Sequence, residues 1–218
     1  MRPAILSINP GLRRAARVPQ LAAADTQRVL TAEIVTLALL GAAASLLTNV
    51  ARFSFGIPGS NILFASFPMA LGLALVPRRG AGTVMAGGAL VTTGALWASG
   101  VRLDGVGAQT SLLLTGPLLD LALQWAHHGW RLYGAFVLAC LSSNALAFAV
   151  RALAKVYGFS GIGRGGGGGG GSGAGGRPLE LWLPQAVWTY AAAGIIAGLV
   201  SAAVWFHFRE RHSAGDNR

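Results

Sequence analysis

Residues 132–150 read LYGAFVLACLSSNALAFAV and contain no charged side chain. A helix rises about 1.5 Å per residue, so about 20 apolar residues cross a bilayer core about 30 Å thick. Soluble helices need a polar face, which this stretch and five others lack. The six stretches cover residues 32–50, 61–77, 83–99, 106–126, 132–150 and 185–206. The sequence therefore predicts an all-α, polytopic membrane helix bundle with about six transmembrane helices.

The composition supports this class of protein. The chain is 53% hydrophobic and 11% charged, whereas soluble domains carry about 25% charged residues. Its net charge of +10 comes from short basic clusters beside the apolar stretches, where arginines meet anionic head groups. We therefore predict that these basic residues contact membrane lipid and that the protein does not bind nucleic acid.

The charge distribution also predicts an orientation. With six spans, the side that holds both termini has eleven of the 17 basic residues. The other side has the remaining six, which are Arg52, Arg102, Arg151, Lys155, Arg164 and Arg177. The positive-inside rule places both termini in the cytoplasm. We expect an integral protein of a bacterial inner membrane, with Trp97, Trp125, Trp130, Trp188 and Trp205 as interfacial anchors near span ends.

The predicted organisation has three parts. Residues 1–30 form a cytoplasmic N-terminal segment, 31–207 the six-span membrane domain, and 208–218 a cytoplasmic tail. Within the domain, residues 161–177 read GIGRGGGGGGGSGAGGR, which predicts a flexible loop because glycines cost much entropy to order. This run lacks the lysine of a phosphate-binding loop.

Two carboxylates lie within the six stretches, Glu33 near an edge and Asp120 inside the fourth. A carboxylate toward the bilayer centre costs roughly 2.5–3.5 kcal/mol, so it faces the bundle, water or a partner, or is protonated. Asp120 follows Gly116 and Pro117, a pair that permits a kink. A structural hydrogen-bonding role and a role in coupling or ion binding both stay open for Asp120.

Four amides lie toward the predicted outer half of the domain. They are Asn61, Gln109, Asn144 and Gln185. An amide needs several hydrogen-bond partners, which lipid does not supply. We predict that they bind a small polar substrate, and hydrogen bonding between helices is the alternative.

Ala38 and Ala42 form a pair of small residues four positions apart in the first span. This spacing places both on one helix face and lets another helix approach closely. That helix belongs either to the same bundle or to a partner protein.

The sequence gives little sign of catalysis. It contains no zinc-protease motif and no nucleophile-elbow motif. The single cysteine, Cys140, excludes a disulfide within the chain and is expected to be a small buried residue. We predict no metal site and no cofactor; an enzyme would have Asp120 with His127 or His128 as its acid–base groups.

The span layout resembles the substrate-binding S component of energy-coupling-factor (ECF) transporters over residues 30–207. Three stretches carry the resemblance: the alanine-rich 38–42, ALLGA; the loop 51–60, ARFSFGIPGS; and the junction 71–83, LGLALVPRRGAGT. The resemblance implies a non-enzymatic binding subunit of an importer. Its Ala38 and Ala42 face would dock a transmembrane coupling subunit, and partner ATPase subunits would supply energy.

The N-terminus lacks the histidines of the cobalt and nickel members, so the implied substrate is a vitamin-like small molecule. Two other functions stay open, a scaffold or assembly subunit of a membrane complex and an intramembrane enzyme.

Overall fold

The computed structural model describes residues 23–50, 59–76, 78–126, 129–157 and 179–215. These residues form helices and connecting turns, with no strand among them. The helices are α1 (Ala23–Asn49), α2 (Asn61–Leu75), α3 (Ala81–Ala98), α4 (Val106–Trp125), α5 (Gly129–Val156) and α6 (Leu179–Gly215). The N-terminal segment up to residue 22 and the glycine-rich stretch 161–177 lie outside the described residues.

Five of the six helices are long and apolar enough to cross a bilayer, with apolar segments of 18 to 27 residues. They mark the chain as an integral membrane protein and confirm the predicted polytopic helix bundle. Helix α1 begins at Ala23 and α6 continues to Gly215, both beyond the predicted spans. Hydropathy detects only the apolar part of a helix, whereas polar helix-forming residues extend it further.

Helix α2 differs from the other five. Its 15 residues extend about 22 Å, which is shorter than a bilayer core of about 30 Å. Nine of these residues are buried, and α2 packs against α1, α4 and α6. The second apolar stretch is therefore a short core helix, around which α1, α3, α4, α5 and α6 pack as successive neighbours.

Glycines bring the neighbouring helices close together. Gly82 of α3 and Gly116 of α4 face each other so closely that a Cβ atom on either would collide with the carbonyl oxygen of the other. A Cβ atom on Gly88 of α3 would likewise collide with the Ala38 carbonyl of α1. Lipid tails are as apolar as the helix surfaces, so the hydrophobic effect does not drive helices together in a membrane. Close approach of this kind stabilises their association through van der Waals contacts instead.

Buried hydroxyls join some of the same helices. Thr115 of α4 lies 2.9 Å from Ser143 of α5, and both donate hydrogen bonds to the Ser111 carbonyl oxygen. Ser45 of α1 lies 2.9 Å from Thr93 of α3, hydroxyl to hydroxyl. These bonds satisfy polar groups that lipid would leave unpaired.

The structure separates the predicted tryptophan anchors into two groups. Trp97, Trp125, Trp130 and Trp188 are strongly exposed on the bundle, as membrane-interface anchors are. Trp205 is 0% exposed and packs edge-on against Phe206. Its assignment as an interfacial anchor is wrong, because Trp205 lies on the face of α6 that packs into the core. Cys140 is buried, as expected.

Candidate functional site

The helices place two polar regions at opposite ends of the bundle. Asn49, Asn61 and Gln109 lie at one end, called here the amide end. Asp120 and the turn before α3 (residues 78–80) lie at the other, called here the turn end. Both regions involve α4, on which Gln109 and Asp120 are separated by about 16 Å along the axis.

At the amide end, four residues form one hydrogen-bonded group. Gln109 Nε2 donates to Asn49 Oδ1 at 2.6 Å, and the Asp104 backbone N–H donates to the same oxygen at 3.2 Å. Asn61 Nδ2 donates to Asp104 Oδ2 at 2.8 Å. We call Asn49, Asn61, Asp104 and Gln109 the amide cluster. It joins α1, α2, α4 and the loop between α3 and α4.

The amide cluster extends along α1 toward α3. Asn49 Nδ2 donates to the Ser45 carbonyl oxygen at 2.9 Å, and the Ser45 hydroxyl is bonded to Thr93. Asn49 is 4% exposed, so both ends of its amide are used inside the bundle. Asn49 therefore joins the end of α1 to α4 and to the loop between α3 and α4.

Asn144 lies beside the amide cluster. Its Nδ2 donates to the Tyr190 carbonyl oxygen at 2.6 Å and to that of Gly59 at 3.4 Å. Gly59 has a φ of +87°, and a Cβ atom there would lie 3.0 Å from Tyr190 Cα. The chain thus needs glycine just before α2, where Asn144 ties the start of α2 to α6.

The predicted substrate-binding residues therefore fall into three positions. The structure brings Asn61 and Gln109 into one cluster and sets Asn144 next to it. Gln185 lies on the exposed side of α6, where its backbone carbonyl accepts a bond from Thr189. Whether any of the four binds a substrate stays a prediction.

Sequence reasoning missed Asp104 as a member of the site. Asp104 lies in the short connection between α3 and α4, outside the apolar stretches that directed the search. One signal was present: it is the one carboxylate between Glu33 and Asp120 in the sequence. The Asp104 backbone N–H donates to the buried Asn49 side chain, and the Asp104 carboxylate accepts a hydrogen bond from the half-buried Asn61 side chain.

The amide cluster offers donors, acceptors and one carboxylate, which are groups that form hydrogen bonds with polar molecules. The amides bond one another and Asp104, so a substrate would exchange these bonds for its own. Among the described residues, no three metal-binding side chains come together.

At the turn end, the two carboxylates that lie within the apolar stretches, Asp120 and Glu33, both contact this turn. Asp120 Oδ2 accepts a hydrogen bond from the Gly80 backbone N–H at 2.6 Å, and Glu33 Oε2 lies 2.6 Å from Arg78 Nε. Asp120 is 5% exposed, and its Oδ1 has no hydrogen-bond partner among the described residues. The first of the two roles left open for Asp120, a structural hydrogen bond, is therefore present. A role in coupling stays a prediction, and His127 and His128 lie outside the described residues.

Ala38 takes part in packing within the bundle. Its backbone lies against Gly88 of α3, while the Ala38 and Ala42 side chains remain partly exposed. The internal-packing interpretation therefore applies to Ala38. Docking of a partner on this face stays a prediction, for which Ala42 offers the cleaner test.

The amide cluster makes a prediction about stability. Asn49→Leu removes an acceptor shared by two donors and is expected to lower the free energy of unfolding by about 1–3 kcal/mol. Gln109→Leu removes one of the two donors, so the double variant should lose about 1 kcal/mol less than the sum of the single losses. Unfolding of the purified protein in detergent measures this difference. Thr110→Val is the control, because Thr110 bonds the Val106 carbonyl of its own helix; strictly additive losses would show that Asn49 and Gln109 do not interact.

Comparison of the chain with protein-family models finds no match, and comparison with curated proteins and with solved structures finds none either. The functional conclusion for this chain therefore depends on its own residues and their geometry.

Proposed function

We propose that this protein is the membrane-embedded substrate-binding subunit of an ECF-type importer for a vitamin-like small molecule. The amide cluster is the observation that carries the proposal. It gathers three amides and one carboxylate at one end of a bundle whose core is otherwise largely apolar. A few convergent polar groups in largely apolar surroundings are typical of small-molecule recognition.

The proposed orientation fits import. With both termini in the cytoplasm, the amide end faces outward, where a substrate arrives. The turn end, with Arg78, Arg79 and Asp120, faces the cytoplasm and the energy source. Helix α4 connects the two ends, since it carries both Gln109 and Asp120.

The proposed energy source is a set of partner ATPase subunits. The sequence contains no nucleotide-binding motif of the Gly-Lys-Ser/Thr type, so nucleotide hydrolysis would come from other chains. A transmembrane coupling subunit would connect them to this protein, with Ala42 on its contact surface. The proposed subunit itself has no catalytic activity.

The experiment is to purify the full chain in mild detergent from the cells that produce it and to identify retained small molecules by mass spectrometry. The wild-type protein should retain one molecule in a fixed ratio. Asn61→Leu and Gln109→Leu should retain roughly 5- to 150-fold less, because a buried ligand group that loses a hydrogen-bond partner costs about 1–3 kcal/mol. Thr110→Val should retain the wild-type amount. Equal retention by folded Asn61→Leu and Gln109→Leu would refute binding at the amide cluster.

A second candidate is a scaffold subunit of a membrane complex. The observation that favours it is the short bond from Gln109 Nε2 to Asn49 Oδ1, 2.6 Å, because amides that bond each other also hold helices together without a ligand. A scaffold would retain no small molecule, while its cluster variants would still lose stability. The same purification therefore separates the two functions.

A further inference from the structure

Arg151 of α5 is half-buried inside an apolar helix bundle. Its Nη1 donates a hydrogen bond to the Tyr190 hydroxyl at 3.3 Å. Its Cζ lies 5.8 Å from the centroid of the Trp182 ring. Arg151 thus has two neutral partners on α6, a hydroxyl and an aromatic face.

Among the side chains that the structure describes, no carboxylate forms an ion pair with Arg151. Arg151 lies one residue beyond the apolar stretch 132–150. A half-buried cation at the end of a span that lacks a charged partner is a candidate for binding an anion. The guanidinium has five N–H donors, of which the Tyr190 hydroxyl takes one. The others are open to a further acceptor at this position.

The first turn of α4 adds positive potential at this point. A Cβ atom on Gly107 would lie 3.2 Å from Arg151 Cβ, so the start of α4 and the base of Arg151 are in contact. This turn contains no acidic residue. The N-terminus of a helix carries a partial positive charge and favours anions, which makes the surroundings of Arg151 more favourable for a negative group.

An aromatic cluster fixes the position of these groups. The Phe148 ring stacks on Trp182 at a centroid distance of 5.8 Å and lies 5.4 Å from Tyr190. Trp182 and Tyr190 are 3% and 5% exposed. The Tyr190 hydroxyl and the guanidinium are thus held before any ligand arrives, which lowers the entropy cost of binding.

We infer that Arg151 and the Tyr190 hydroxyl form a binding site for an anionic group, a carboxylate or a phosphate. Guanidinium recognises both groups with paired, charge-assisted hydrogen bonds. The site adjoins the amide cluster through Asn144, which bonds the Tyr190 carbonyl. A negatively charged substrate could supply the anion, an identification that rests on the proposed function; an anionic phospholipid headgroup carries the same chemistry.

The test uses the full-length protein without partner subunits. Its thermal unfolding midpoint is measured in detergent against sodium phosphate and sodium benzoate, with sodium chloride at matched ionic strength. A second arm compares nanodiscs of phosphatidylcholine with nanodiscs containing phosphatidylglycerol. The variants are Arg151→Gln, which removes the charge, and Tyr190→Phe, which keeps the ring. The control is Arg102→Gln, since Arg102 is an exposed arginine at the same end.

Ligand binding to the folded state should raise the midpoint with anion concentration. Arg151→Gln and Tyr190→Phe should need at least tenfold more anion for the same rise, and Arg102→Gln should behave as wild type. A rise with the soluble anions supports a substrate as the source, and a rise with phosphatidylglycerol alone supports a headgroup. No rise in either arm, or an equal rise in Arg151→Gln, would overturn the site. Retention of a molecule by the amide cluster is measured separately, so that result stands or falls independently.

Discussion

Gly82→Ala is expected to lower the thermal unfolding midpoint of the purified protein by about 2–12 °C, since overpacking costs about 1–3 kcal/mol. The added methyl group would meet the Gly116 carbonyl oxygen, and Asp120 Cβ lies 3.0 Å from the same position. Helices α3 and α4 would have to separate, and Asp120 would move with α4. Fluorescence-detected unfolding in detergent measures the change.

Gly87→Ala is the matched control on the same helix. A Cβ atom on Gly87 would have no atom within 4 Å, and alanine is a better helix former than glycine. Its midpoint should stay unchanged or rise slightly. Equal losses in the two variants would show that the contact between Gly82 and Gly116 does not determine the effect.

The second large effect is expected at Asp120. Asp120→Leu removes the acceptor for the Gly80 N–H, 2.6 Å away, and should cost about 1–3 kcal/mol, the penalty for an unsatisfied buried donor. Asp120→Asn keeps a side-chain carbonyl oxygen for that bond and should recover most of the stability. Unfolding midpoints of the two variants give the comparison.

The asparagine variant also separates the two roles of Asp120. If the carboxylate acts in coupling, Asp120→Asn should fold and bind substrate normally but reduce transport or assembly with partners. Glu33→Gln is the control at the same turn. Its ion pair with Arg78 is about one-third exposed and should contribute under about 1 kcal/mol. Loss of substrate binding in a folded Asp120→Asn protein would contradict this assignment.

Hydropathy was sufficient to predict the helical membrane bundle but not the special position of α2. The stretch 61–77 is as apolar as its neighbours, and its burial between α1, α4 and α6 depends on helix crossings. Trp205 shows the same difficulty, because closeness to a span end does not determine which way a helix face points. In both cases the missing information is tertiary contact.

The candidate site was predictable only in part. Asn61 and Gln109 could be found because amides are conspicuous in apolar stretches. Asp104 was missed because the pairing of a loop residue with Asn49 and Asn61 depends on how α1, α2 and α4 meet. Gln185 was assigned by depth along the bundle, whereas its exposed position on α6 depends on helix rotation.

Native mass spectrometry of the protein extracted from the membranes of its own cells tests the central claim most directly. We expect an assembly that contains this chain, a membrane coupling subunit, two ATPase subunits and one small molecule. Ala42→Leu should reduce the recovered coupling subunit, because added volume blocks close helix approach; Ala32→Leu, at an exposed position on the same helix, should not. A folded wild-type protein recovered without ATPase subunits and without a small molecule would contradict the account.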